Sequence, residues 1–245
     1  MIPKIIHYCW LSDEPFPKKI QFCVDSWKRL LPDYELMLWD KHRFDIESVR
    51  WVKEAYQQKK YAFAADYIRC YALYNYGGIY LDSDVEVVRS YNDLLRLPYF
   101  LGRERVSGCI EAATMGFEKG HPLFRYLMDY YEQHSFMENG KSNTRPMPRI
   151  MQEITATHYT EVDIEQPEDF VFGEDVLNIL PNDYFSPKEN EHIYQTENTY
   201  SIHHYTGTWH SPIYNWMRKT VLTLLGSRGK QKIASIIHAC QPQKQ

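Results

Sequence analysis

Apolar positions change their period several times along the chain, and each change marks an element. Ile2–Trp10 is a short, mostly apolar run and reads as a buried strand. Pro17 then opens a helical pattern in which Ile20, Val24, Trp27 and Leu31 recur every three or four residues on one face, until Pro32-Asp33 ends it. Tyr34–Trp39 returns to strand character. Strand, helix, strand in this order implies a right-handed crossover and a parallel sheet. Helices are predicted over Asp45–Gln57 and Tyr61–Tyr76, the second stopping at Gly77-Gly78, residues suited to the left-handed turn after a helix. Ile79-Tyr80-Leu81 is then a buried strand with Asp82-Ser83-Asp84 at its carboxyl end, the edge where open α/β sheets bind ligands.

The later chain is less regular. Pro122–Gln133 is predicted helical, and Met137–Pro148 is so rich in turn-formers that it reads as a mobile loop, a candidate lid. Ser201–Tyr205 reads as a late strand before the turn-rich Thr206–Pro212. Ile213–Leu225 and Lys230–Cys240 repeat apolar residues at helical spacing beside Arg218, Lys219, Lys230 and Lys232. The expected organisation is an α/β catalytic domain over residues 1–212 followed by a basic amphipathic helical segment over 213–245. Its sheet should be mixed, mainly parallel, and flanked by helices.

Composition narrows the class. A chain of 245 residues, 44% hydrophobic and 24% charged, is ordinary for a globular protein that needs no staple. Five cysteines, odd in number and without CxxC spacing, argue against a disulfide framework or zinc ribbon and for a reducing, cytoplasmic setting. No stretch approaches the ~20 apolar residues that span a bilayer. All 32 acidic residues lie at or before Glu197, so residues 1–197 carry 22 basic against 32 acidic side chains and the remainder carries six cations. An acidic body disfavours nucleic acid as a partner. The basic, partly apolar end fits peripheral contact with an anionic membrane face.

Three groups of residues could carry chemistry. Asp82 and Asp84, two apart at a strand end, can converge on one divalent cation such as Mg²⁺ or Mn²⁺, which binds through carboxylates and substrate phosphates. Asp66 and Arg69 are three apart on an otherwise apolar helix and need partners there, such as a sugar hydroxyl and a phosphate. His203 and His204 follow in Ser201-Ile202-His203-His204-Tyr205; imidazole suits Mn²⁺ better than Mg²⁺, and neighbours on a strand face opposite sides, so one of the two at most should reach a shared site.

The run YAFAADYIRCYALYNYGGIYLDSDV resembles the signature of DXD-containing glycosyltransferases of the family-32 type, and also the catalytic core of the clostridial glucosylating toxins. The segments IPKIIHYCWL and SIHHYTGTW resemble the first-strand and late metal-site segments of the same enzymes, in the same order. The resemblance implies a GT-A, Rossmann-like fold and a retaining transfer of a hexose from a UDP- or GDP-sugar to a saccharide acceptor, as in bacterial surface polysaccharide synthesis. It implies Trp10 against the nucleobase, Asp66 on donor-sugar hydroxyls and Arg69 on sugar or phosphates. Tyr80 would lie beside the donor, Asp82 at ribose or sugar and the metal shell, and Asp84 directly on Mn²⁺ or Mg²⁺. His203 or His204 would complete the metal site, and Trp209 would close over the diphosphate or sugar. Two departures stand out: Thr208 replaces a usual Ser, and Glu111 lies where an Asn or Asp commonly meets the donor sugar. A sugar-nucleotide hydrolase, a protein-modifying enzyme with the same donor site, and a non-catalytic carbohydrate- or cation-binding domain are the rival readings.

Overall fold

The computed structural model describes residues 1–206. The expected segment 213–245 and Trp209 lie outside the described residues. A five-stranded sheet forms the centre, in the order β2-β1-β3-β6-β5. Its strands are β1 (Ile5–Cys9), β2 (Glu35–Trp39), β3 (Gly78–Leu81), β5 (Tyr99–Phe100) and β6 (Thr114–Phe117). β1 pairs parallel with both β2 and β3, whereas β6 runs antiparallel to β3 and to β5. The sheet is therefore mixed, and its parallel pairings belong to the N-terminal strands whose crossovers the sequence pattern predicts. This is the mixed α/β sheet flanked by helices that was expected.

Alternation in the central strands divides the core. Ile6, Tyr8, Ile79 and Leu81 face α1 (Lys18–Leu30), whose buried stripe is Ile20, Cys23, Val24, Ser26 and Trp27. Cys9, Trp39 and Tyr80 face the other side, under α2 (Arg50–Gln57), α3 (Tyr61–Tyr76) and α4 (Pro122–Gln133). Each fully buried large apolar side chain on these faces contributes roughly 1.5–3 kcal/mol. α3 is buried along most of its length because it is sandwiched between the sheet and the outer helices.

The end of α3 is fixed by its glycines and by an imidazole. Gly77 has φ of 65° and Gly78 of 103°, and a Cβ on Gly78 would sit 2.7 Å from the Ile5 carbonyl oxygen, so only glycine lets β3 start this close to β1. The buried His7 ring contacts the Gly77 carbonyl through Nε2 at 2.7 Å and accepts from Trp39 Nε1 at Nδ1, 3.1 Å away. Burial lowers the His7 pKa to about 4, so the ring is neutral with its proton on Nε2.

Two expectations are corrected. The helix predicted from Asp45 starts at Arg50, because the Asp45 carboxylate accepts from the Glu47 amide and Ser48 Oγ donates to the Asp45 carbonyl, which closes a turn instead. The lid loop over 137–148 is replaced by a short hairpin, β7 (Met137–Glu138) and β8 (Lys141–Ser142), followed by the start of α5 (Met147–His158). Its connection, Asn139-Gly140, has φ of 50° and 75°, the left-handed pair that tight hairpins require.

Candidate active site

The site lies at the carboxyl edge of β3. Asp82 donates its amide to the Ala113 carbonyl at 2.8 Å, and the Val85 amide returns to the Asp82 carbonyl at 2.9 Å. This tight turn carries Asp82-Ser83-Asp84 into β4 (Val85–Val87). α1 holds β4 from below: Trp27 Nε1 donates to the Val85 carbonyl at 2.8 Å, and the Val87 amide donates to Ser26 Oγ at 2.9 Å. β4 pairs antiparallel with β13 (Ser201–His203), with His203 opposite Val85. A residue late in the chain is thereby set beside Asp84.

Asp82, Asp84 and His203 each bring one ligand atom within 4.8 Å of the others. His203 Nε2 is 3.5 Å from Asp84 Oδ1, and its Nδ1 is 3.4 Å from Glu111 Oε1. Burial works against the charged ring, yet Asp84 and Glu111 outweigh it and hold the His203 pKa well above its usual value. The ring thus lies among three carboxylates, Asp82, Asp84 and Glu111, and would give up its proton to bind a cation. Two carboxylates and one imidazole are a donor set that fits Mn²⁺, and Mg²⁺ less well. His204 is not part of the group. It pairs with Glu86 at 2.9 Å, because its side chain leaves the strand on the opposite face.

The second group adjoins the first. Arg69 is 5% exposed and clamped between Asp66 Oδ1 and Asp82 Oδ1, each 3.1 Å from Nη2. Its Nη1 donates to the Ala112 carbonyl at 2.8 Å, and the guanidinium lies 4.6 Å from the centre of the Tyr80 ring. Tyr80 also donates its hydroxyl to Asp82 at 3.1 Å. Burial raises the Asp66 carboxyl to about 7, with Arg69 pulling down and Asp82 pushing up; burial likewise raises Asp82 against Arg69. The sequence assigned Arg69 to donor contacts. In the structure its Nη groups are committed to protein atoms, so it orients Asp66 and Asp82 and ties α3 to β3.

Glu111 is likewise engaged by protein atoms. It is 1% exposed, accepts from the Ala113 amide at 2.7 Å and backs the His203 ring, with the Tyr205 hydroxyl 3.5 Å away. Buried behind the imidazole, it can fix the orientation and basicity of His203. Sequence reasoning did not find the supporting Tyr205–Ser186 contact of 2.5 Å or Glu104. Burial and the neighbouring Glu111 raise Glu104 to about 7. Pairing of Gly102–Glu104 with Cys109–Glu111 puts Glu104 near this cluster, and no local pattern announces it.

Trp10 follows β1 and is half-buried, with Nε1 donating to the Glu14 carbonyl at 2.8 Å and its ring edge-on to Phe16. It borders a cavity of about 390 Å³ with Ser12, Asp13, Leu38 and Asp40, at the carboxyl ends of β1 and β2. A cleft of this size beside an indole can take an aromatic ring.

Residues 17–101 match the family described as glycosyltransferase sugar-binding region containing DXD motif. That span contains Asp66, Arg69, Tyr80, Asp82 and Asp84. Over 139 residues the chain is 41% identical to inositol phosphoceramide mannosyltransferase 3 of Schizosaccharomyces pombe, covering 55% of this chain and 38% of that protein. Over 147 residues it is 34% identical to a mannosyl phosphorylinositol ceramide synthase of Saccharomyces cerevisiae, covering 56% and 37%. Among solved structures, the PaToxG glycosyltransferase superposes with a TM-score of 0.42 and 18% identity, over 52% of this chain and 59% of that one. The resemblance to DXD-containing glycosyltransferases drawn from the sequence is found in these matches. The chain spans little more than a third of the length of the curated relatives it matches first.

Proposed function

We propose that this chain is a metal-dependent, retaining glycosyltransferase of the family-32 type that transfers mannose from a nucleotide-sugar donor to a hydroxyl of a lipid-borne acceptor. The observation that carries this reading is the meeting of Asp82, Asp84 and His203 with the Asp66–Arg69 clamp at one sheet edge. The names of the matched mannosyltransferases support the choice of sugar. They also favour an inositol phospholipid head group over the surface-polysaccharide acceptor expected from the sequence.

Asp82, Asp84 and His203 would hold Mn²⁺ or Mg²⁺, which when bound neutralises charge on a leaving diphosphate. Trp10 would stack on the base of the donor, and Asp66, at the buried end of the clamp, would orient the sugar. Arg69 pairs with both Asp66 and Asp82, and this reading gives neither carboxylate the part of a covalent nucleophile. The acceptor oxygen would then attack from the face the diphosphate leaves. The anomeric carbon–phosphate oxygen bond breaks as the new carbon–oxygen bond forms, and the acceptor proton passes to the departing oxygen. The transition state is oxocarbenium-like, and the protein contributes position and field. This reading sets the enzyme at the inner face of a membrane, with the basic stretch 213–245 as the contact.

The test is release of nucleoside diphosphate from GDP-mannose, UDP-glucose and UDP-galactose, with Mn²⁺ and with inositol phospholipid or saccharide acceptors. GDP-mannose should turn over, EDTA should stop it, and the product should keep the donor's anomeric configuration. Hydrolysis without any acceptor product would favour the hydrolase reading, and an inverted product would overturn the same-face attack.

A further inference from the structure

A second cavity, about 850 Å³, opens on the flank of the molecule where the loop after β2 meets α3 and α4. The chemistry described above makes no use of it. Its volume is within the roughly 300–1,000 Å³ of small-molecule sites. It is walled by Tyr67 and Tyr71 of α3, whereas Asp66 and Arg69 of the same helix meet Asp82. Successive residues of a helix diverge by about 100°, so the two sets face different sides. One helix therefore serves the transfer site with one face and this cavity with another.

The lining is aromatic and polar together. Tyr71 stacks edge-on with Trp39 and Phe44, which leaves the ring rigid while its hydroxyl has no hydrogen-bond partner among the described residues. The same holds for the hydroxyl of Tyr76, 41% exposed at the far end. The Arg43 guanidinium rests near the Trp39 ring at 5.8 Å and makes no side-chain hydrogen bond or ion pair among the described residues, while its amide donates to Asp40 Oδ1. Two arginines, Arg43 and Arg50, are matched by two carboxylates, Asp45 and Glu132. The wall is thus neutral overall, a poor match for a phosphate or a cation and a good one for a ligand with many hydroxyls and apolar ring faces.

The geometry points to a second saccharide-binding site in this cavity, one that holds a neutral oligosaccharide apart from the sugar being transferred. Phenol rings would take the C–H faces of pyranose units, and Arg43, Tyr71 and Tyr76 would bond their hydroxyls. Residues Asp40, Lys41 and His42 of the intervening loop line the cavity beside Trp10, so one loop separates the two sites.

Binding of mannotetraose, measured by saturation-transfer NMR and calorimetry without donor, tests this independently of any transfer activity. The probe should bind saturably to the wild type and equally to an Asp84→Asn variant in EDTA, whose transfer site is disabled. Arg43→Gln alters an exposed side chain without touching the packing, and Tyr71→Phe keeps the ring while removing the hydroxyl. Each should weaken mannotetraose at least tenfold and leave nucleoside diphosphate affinity unchanged. No saturable binding to the wild type, or equal binding by wild type and both variants, would overturn the proposal. Loss of binding in Asp84→Asn would place the oligosaccharide in the transfer site instead.

Discussion

Replacing Arg69 with lysine keeps a cation in the clamp but removes the planar fork that makes three contacts at once. In the wild type one guanidinium meets Asp66 and Asp82 at 3.1 Å and the Ala112 carbonyl at 2.8 Å, over the Tyr80 ring. A single ammonium on a shorter reach can satisfy one of the two carboxylates and leaves the Ala112 carbonyl buried without its donor. A hydrogen bond to a charged group is worth about 1.5–3 kcal/mol, so the loss of one, with a second strained, gives about 2–3 kcal/mol. For a protein of this size that corresponds to a fall in melting temperature of roughly 4–12 °C. The matching methionine variant should fall further, because removing one partner of a buried pair costs roughly 3–5 kcal/mol. Circular dichroism melts at neutral pH measure both, and initial rates of donor turnover by the folded lysine variant show whether Asp66 and Asp82 have lost their alignment. A lysine variant melting within a degree or two of wild type, with its rate intact, would refute the claim that fork geometry rather than charge holds the site.

Three other outcomes are expected. Asp84→Asn should abolish Mn²⁺ binding detected by electron paramagnetic resonance, while Glu111→Gln, which only backs His203, should weaken it by roughly 10–100-fold; unchanged Mn²⁺ affinity in Asp84→Asn would dissolve the assigned ligand set. Trp10→Ala should cost about 1–3 kcal/mol in affinity for free nucleoside diphosphate, and calorimetry showing none would make the indole a packing residue. Burial holds the folded His7 imidazole near 4 against 6.5, so its contribution is complete above pH 6.5 and about 3 kcal/mol is lost by pH 4, as the unfolded chain takes up the proton first. Asp66, raised to about 7 by burial, acts in the opposite sense, so the readout is the stability difference between wild type and His7→Gln in urea; the same difference at pH 7.5 and 4.5 would contradict the burial argument.

Much of the framework was legible because local forces set it. The three-or-four spacing of Ile20, Val24 and Trp27 and the stop at Gly77 gave α1 and α3, the latter with its observed bounds. Asp82 and Asp84 were readable as a pair because they are two residues apart at the end of an apolar strand. The hairpin at Asn139-Gly140 was missed because its strands are two residues long, too short for any period to show. What Arg69 and Glu111 do was hidden for a different reason. Their partners, Ala112 and Asp82 for one and His203 and Tyr205 for the other, are distant in sequence, so composition revealed only that these charges needed company. The choice between His203 and His204 was left open by the sequence, and it followed from the register of β13 on β4.

That register has a consequence for how the cation site comes into being. Both carboxylates of the site sit within the span 17–101, while the third donor arrives on a strand that begins at Ser201. A growing chain carries two of the three ligands across the long stretch from Asp84 to His203 without a closed site, and long-range pairing of this kind is slow to form. On the proposed ligand set, cation affinity would report docking of the strand that bears His203, and a fragment ending before it would keep the signature motif and lose the grip.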